Sequence, residues 1–202
     1  MVCKYFLPVV VGYMAGSIPF GVIFSRVFKL GNLREIGSGN IGATNVLRTG
    51  NKTAAALTLF ADALKGFLAV WVVGHYFYYN PYDLYFAGLG AVIGHVWPVW
   101  LRFSGGKGVA TAFGAYIGWH PLLALILMIL WLGTATIFRL SSLAALMALS
   151  VAPIISFLFI SFGYGEEILA KFSLIIAGLI LYTHRTNIKR LINSQENKID
   201  SQ

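Results

Sequence analysis

The chain reads as an all-α integral membrane protein of about seven transmembrane helices, with the N-terminus outside and the C-terminus cytoplasmic. Three observations predict it. Hydrophobic residues make up 58% of the 202 and charged residues only 11%, against ~45–50% and ~25% in soluble domains, and mean hydropathy is +0.76. The apolar residues gather into runs, most of them long enough to cross ~30 Å of hydrocarbon. The basic residues fall on alternate connections between those runs. Length and composition give a single integral domain over 1–202, with 193–202 expected as a mobile tail.

The first run, 5–28, is punctuated by Pro8, Gly12, Gly16, Pro19 and Gly21. Lys4 ahead of it and Ala15-Gly16-Ser17 within it faintly resemble a signal peptide, but the apolar character continues, so an uncleaved span is expected. Its small residues suit close helix packing. The second run, 53–79, contains Asp62 and Lys65, which are three apart and share one helix face. Isolated charges are costly in hydrocarbon, so that face should point into the bundle, as a structural ion pair or as part of a site. The third run, 82–100, ends in Gly94-His95-Val96-Trp97-Pro98. A fourth stretch, 109–119, is too short to cross alone at ~20 residues per span, and His120-Pro121 closes it. Runs at 121–138, 143–162 and 167–184 follow.

Positive charge tests the count. The connection 29–52 holds Lys29, Arg34, Arg48 and Lys52. The connection 101–108 holds Arg102 and Lys107, the turn 139–142 holds Arg139, and the tail holds Arg185, Lys189, Arg190 and Lys198. The alternate connections near 80–82, 119–121 and 163–167 hold no basic residue. If 109–119 crosses, every basic connection falls on one face, which is then cytoplasmic; if it does not, they split between faces. Lys4 is the one contrary charge.

A net charge of +8 on a chain of this kind points to anionic headgroups, topology or an anionic substrate rather than to nucleic acid. Cys3 is the lone cysteine, so an intramolecular disulfide and a cysteine-based metal site are excluded. No HExxH or CxxC pattern occurs and the four histidines do not cluster, so neither metal nor cofactor is expected. His75 and His120 fall near the face opposite the basic connections and read as interfacial. There is no GxSxG elbow, no Ser-His-Asp order and no His-x4-Asp pattern.

Three polar clusters remain, and the topology gathers them on the cytoplasmic face. The first, 37–52, is glycine-rich although both neighbours are apolar spans. Gly37, Gly39 and Gly42 permit tight turns and close backbone approach. Ser38, Asn40, Thr44 and Asn45 supply short polar groups, and Arg48 and Lys52 supply charge suited to phosphate. The second is Ser104-Gly105-Gly106-Lys107-Gly108, running into Val109-Ala110-Thr111. A helix starting at Val109 would add its N-terminal amides and dipole, so the stretch reads as a phosphate cradle or as a plain glycine turn. The third is His184-Arg185-Thr186-Asn187, where His184 and Asn187 share a helix face; His184 could serve as base, phosphate-binding cation or interfacial residue. Many phosphate-binding groups and almost no carboxylates fit transfer between phosphorylated substrates. A phosphate transporter and a transferase using another anionic lipid donor are the rival readings; a transporter would place its site near the midplane and often show internal repeats.

These residues carry a resemblance. Gly37-Ser38-Gly39-Asn40-Ile41-Gly42-Ala43-Thr44-Asn45 with Arg48, then Gly94-His95 to Pro98 with Gly105-Gly106-Lys107-Gly108-Val109-Ala110-Thr111, then His184-x-x-Asn187-Ile188-x-Arg190-Leu191, closely resemble the bacterial PlsY family of acyl-phosphate-dependent glycerol-3-phosphate acyltransferases. One departure is Asn193-Ser194-Gln195 before Glu196, where the family usually has a glycine-containing stretch. The resemblance implies a multi-pass protein of the bacterial inner membrane, acting as the first acylation step of phospholipid synthesis with its site facing the cytoplasm and no obligate protein partner. It implies transfer of a fatty acyl group from acyl phosphate to the 1-hydroxyl of sn-glycerol 3-phosphate, giving lysophosphatidic acid and phosphate. Ser38, Arg48, His184 and Asn187 map onto the family's essential residues, and Gly105, Gly106 and Gly108 onto its glycerol-phosphate glycines. Gly37, Gly39, Asn40, Thr44, Asn45, Lys52, Ser104, Lys107 and Thr111 complete the expected substrate contacts.

Overall fold

The computed structural model describes residues 5–77 and 80–199; Cys3 and Lys4 lie outside the described residues. It is all-helical: α1 Phe6–Gly16, α2 Phe20–Val27, α3 Ala43–Leu47, α4 Lys52–Tyr76, α5 Pro81–Val96, α6 Val109–Trp119, α7 Pro121–Phe138, α8 Ser141–Ser161, α9 Glu167–Thr183 and α10 Arg185–Ile192. Five segments are long and apolar enough to cross a membrane, counting Phe6–Val27 as one; a sixth is α9 with α10, which bends by 64° at His184.

The first span is broken because Pro19 has no N–H to donate and its ring clashes with a helical turn before it. α1 stops at Gly16 and α2 restarts at Phe20. The break frees the carbonyl of Ile18, which accepts from Lys65 Nζ at 2.8 Å. Lys65 also pairs with Asp62 at 2.8 Å, and both side chains are buried. The two charges on α4 do face inward, with a carbonyl from a broken helix as third partner.

Two seams of small residues bring helices into backbone contact, as is usual between membrane helices. Gly12 and Gly16 of α1 lie against Ala87 and Ala91 of α5, and Gly66 of α4 lies against Thr111 of α6; any side chain at these glycines would run into the opposing backbone. Beyond the seams, Tyr116, Phe172, Leu123, Leu149 and Ile176 form a fully buried centre shared by α6, α7, α8 and α9.

The contacts sort the connections into two ends. At one end, the Tyr5 ring meets Tyr82 and Phe86, and His120 Nε2 lies 3.0 Å from the Tyr164 carbonyl. His120 also caps α7, accepting from Leu123 N at 3.2 Å. At the other end, Arg34 donates to the Ser104 carbonyl, Lys107 reaches Asn187, and Ile199 N donates to the Arg139 carbonyl at 2.8 Å. α6 runs from the second end to the first although it is only 11 residues, ~17 Å, long. It can be short because the chain before it dives back into the bundle: Gly105 and Gly106 donate to the carbonyls of Val96 and His95, each at 3.0 Å. The helix therefore starts below the level where α5 ends.

Residues 193–199 fold back over the second end, with Glu196 tied to Ser142, Asn187 and Arg190; residues 200–202 lie outside the described residues.

Candidate active site

One cavity of about 390 Å³ opens at the second end. The 37–52 connection supplies Ser38, Asn40, Thr44, Asn45 and Arg48 to its wall, the start of α6 supplies Lys107, Gly108 and Val109, and the bend after α9 supplies His184 and Asn187. The three polar clusters thus share one space.

The first wall is held by Asn45. Its Oδ1 accepts from the Ser38 N–H at 3.0 Å and the Ser38 hydroxyl at 3.3 Å; its Nδ2 donates to the carbonyls of Leu33 at 3.0 Å and Asn40 at 2.7 Å. Both amide hydrogens are occupied, so Asn45 fixes the turn instead of donating to a ligand. Gly37 and Gly39 have φ of +51° and +68°, a region costly to residues with a side chain. A side chain at Gly37 would also stand 2.7 Å from Asn45 Oδ1 and 2.8 Å from Arg48 Cδ. The turn rests on its own small core of Leu33, Val46, Ala54 and Ala55.

The second wall corrects the expected cradle. The amides of Gly105 and Gly106 are spent on Val96 and His95 carbonyls, so neither is offered to an anion. Gly106 is a glycine because a side chain there would collide with His95 Nε2. The anion-binding part lies further on: Gly108 takes φ +87° as the cap of α6, whose first-turn N–H groups have no helical partner, and Val109 and Ala110 line the cavity. Thr111 is buried, its carbonyl against Gly66 of α4, and does not line the cavity. Lys52 is exposed at the start of α4 and Ser104 is exposed beside Arg34; neither lines the cavity.

The third wall is the tail. Lys107 Nζ donates to Asn187 Oδ1 at 2.5 Å, Asn187 Nδ2 donates to Glu196 Oε1 at 2.6 Å, and the same oxygen accepts from Ser142 Oγ at 2.8 Å. Glu196 Oε2 accepts from Arg190 Nε at 2.7 Å. These three donors hold the Glu196 carboxyl below its ordinary range against the opposing effect of burial. Burial lowers Lys107 to about 8, with Glu196 opposing and the Arg190 and Arg48 charges adding to the fall. His184 is buried at the bend after α9. Its Nδ1 lies 2.9 Å from the Ile180 carbonyl, which assigns the proton to Nδ1 and leaves Nε2 as an acceptor.

The charges do not cancel. Of the carboxylates lining the cavity, Asp62 pairs with Lys65 and Glu196 with Arg190. Arg48 and Lys107 form no salt bridge among the described residues. The buried Nε of Arg48 meets no acceptor, an arrangement that costs free energy unless a ligand supplies one. Desolvation lowers its pKa. Below these cations the lining turns apolar, through Phe113, Ile117, Met128, Trp131 and Leu132. Ile117 lies eight residues beyond Val109 on the helix, so the apolar part extends ~12 Å along α6. Leu59 and Leu132 are half exposed on its rim, which opens the groove toward the lipid side.

Five lining residues carried no site assignment from the sequence. Asp62 is expected on an inward face, as a structural pair or as part of a site, and its Oδ1 lies 3.6 Å from His95 Nδ1 across the cavity floor. His95 stands in sequence only as part of the close of the third run. Ser142 and Trp131 gave no signal in apolar runs, and Glu196 was visible only as a charge in a polar tail.

Fold and cavity define a class: an all-helical membrane protein with a cationic, anion-ready chamber continuous with an apolar groove. Comparison with known proteins narrows it. The family model described as glycerol-3-phosphate acyltransferase matches residues 6–194. A glycerol-3-phosphate acyltransferase of Mesorhizobium japonicum is 50% identical over 193 residues, covering 96% of this chain and 95% of that protein. One of Rhizobium etli is 46% identical, covering 94% and 89%. The crystal structure of PlsY, an integral membrane glycerol 3-phosphate acyltransferase, in its glycerol 3-phosphate form superposes with a TM-score of 0.87 at 38% identity, over 96% of this chain and 94% of that one. Its lysophosphatidic acid form gives 0.84. The chain belongs to the PlsY family of glycerol-3-phosphate acyltransferases.

Proposed function

We propose that this enzyme transfers a fatty acyl group from acyl phosphate to the 1-hydroxyl of sn-glycerol 3-phosphate, giving lysophosphatidic acid and inorganic phosphate, at the cytoplasmic face of the bacterial inner membrane. The observation that carries the reading is the junction of two salt-bridge-free cations, Arg48 and Lys107, with an apolar groove in one cavity. Two phosphate groups need two positive centres, and a fatty chain needs a dry groove reachable from the bilayer. A solved relative of the family is described in a glycerol 3-phosphate form and a lysophosphatidic acid form, which supports the acceptor and the product.

In this reading the acyl chain lies along Phe113 and Ile117, with the acyl phosphate head near Arg48 and Ser38. Glycerol 3-phosphate sits by Lys107 and the amides that open α6, oriented by Asn187. Its hydroxyl oxygen attacks the acyl carbonyl carbon; the bond from that carbon to the phosphate oxygen breaks, and phosphate leaves with the electron pair. Ser38 donates to the developing oxyanion, a contribution of ~3–4 kcal/mol for donors of this kind. The hydroxyl proton passes to a substrate phosphate. The free Nε2 of His184 orients the hydroxyl. No acyl-enzyme forms.

The test is phosphate release by purified protein in detergent. It should require both acyl phosphate and glycerol 3-phosphate. Turnover with acyl-CoA or acylated carrier protein but not with acyl phosphate would replace the donor, and an acylated Ser38 trapped with labelled acyl phosphate would replace the direct attack.

A further inference from the structure

A second cavity, of about 720 Å³, lies beside the first at the same end of the bundle, and the acyl-transfer reading leaves it unused. Arg26 at the end of α2, Lys29, Arg34 and Arg102 all line it. The positive-inside tendency accounts for cations at this end but not for four of them around one hollow. Among the described residues, no carboxylate pairs with Arg26, Lys29 or Arg102. Glu35, the acidic residue nearest them in sequence, takes its hydrogen bond from Asn32 Nδ2 at 2.7 Å. The floor is apolar, built from Leu33 and Ile41, and Trp100 forms part of the wall with 60% of its surface open.

The rim is suited to lipid. Ile23 and Val27 on α2, and Val99 and Phe103 beside Trp100, are exposed apolar residues on the two segments that border the cavity. Arg102 and Phe103 both take left-handed backbone, with φ of +50° and +58°. Aromatic residues next to cations at the end of a span mark the headgroup level of a bilayer, and clustered Lys and Arg there attract anionic headgroups. Arg34 joins this cavity to the first: it donates to the Gly39 carbonyl at 3.1 Å and to the Ser104 carbonyl, and so bridges the Ser38 turn and the segment leading to Lys107.

We propose that this second cavity binds the phosphate headgroup of an anionic phospholipid of the surrounding bilayer, with Arg26, Lys29 and Arg102 as its cations and Trp100 against the glycerol region. The site is independent of the catalytic reading, because its test reads binding and not turnover. Protein is reconstituted in nanodiscs of equal parts phosphatidylcholine and phosphatidylglycerol and extracted in mild detergent, and the lipid retained is counted. The native protein should retain phosphatidylglycerol several-fold over phosphatidylcholine. Arg26→Gln/Arg102→Gln should lose that preference, whereas the charge-matched Arg185→Gln/Lys189→Gln, at exposed positions on α10, should keep it. Equal loss in both pairs would reduce the effect to net charge and overturn the site. Displacement of the retained lipid by inorganic phosphate would assign the cavity to a free anion and overturn the lipid. Should the first pair prove unstable, Lys29→Gln alone is read in the same way.

Discussion

Lys107 loses its proton more easily than an ordinary lysine because burial strips water from its ammonium group, and the nearby Arg190 and Arg48 charges outweigh none of that penalty but add to it. The sign of the consequence is fixed: below about 8 the group is charged and attracts phosphate, and above about 8 it is neutral. The kcat/KM for glycerol 3-phosphate, which reports the free enzyme, should therefore fall roughly tenfold per pH unit on the alkaline side. Lys107→Arg should remove that limb while lowering the plateau, since arginine keeps its charge but not the Asn187 contact. Glu196 ties the side chains of Ser142, Asn187 and Arg190 together. Glu196→Ala leaves Arg190, Asn187 and Ser142 without their shared acceptor; at ~1–3 kcal/mol for stranded partners, kcat/KM should fall roughly ten- to hundred-fold, and detergent-phase kinetics would show it. Equal kinetics would leave the tail outside the site. Ser38, Arg48, Lys107, His184 and Asn187 were legible in the sequence because polar groups between membrane spans need a reason to be there. Glu196 was not, because a carboxylate in a polar tail looks solvated until the tail is seen to fold back.

At the scale of elements, hydropathy located the spans within a few residues, and Pro19 marked the break between α1 and α2 that separates Gly16 from Phe20. It could not show what the glycines before α6 do. Gly105 and Gly106 suggest exposed amides in sequence, yet in the fold those amides belong to Val96 and His95, and the missing side chain makes room for an imidazole. That pairing is a contact between residues eleven apart across a re-entering chain, which local pattern does not encode. It has a separable consequence. Gly106→Ala should destabilise the protein by colliding with the His95 ring, lowering the thermal midpoint by several degrees in detergent. The same change in a His95→Ala background should cost far less, and a double-mutant cycle over the four proteins should return a coupling of about 0.5–3 kcal/mol. If Gly106→Ala instead raised the KM for glycerol 3-phosphate and left stability alone, the glycine would serve the ligand and not the packing.

At the scale of the whole molecule, the arrangement depends on α6 running from end to end. Its 11 residues cover only ~17 Å, so composition alone would pass it over, and only the distribution of Lys and Arg argued for the crossing. The contacts agree on two ends: Tyr5, Tyr82, His120 and Tyr164 at one, and Arg34, Ser104, Lys107, Arg139 and Glu196 at the other. Basic connections favour the cytoplasmic side during insertion, so the second end should face the cytoplasm, where soluble glycerol 3-phosphate could reach Lys107 without crossing the bilayer. Cysteines placed one at a time in a Cys3→Ser background, at exposed Tyr164 and exposed Lys189, test it with a maleimide that cannot cross membranes. In intact spheroplasts the Tyr164→Cys protein should label and the Lys189→Cys protein should label only after lysis. Labelling of both from outside would place the tail across the membrane from its expected side, and the open mouth of the cavity would then face the wrong compartment for a cytoplasmic acceptor.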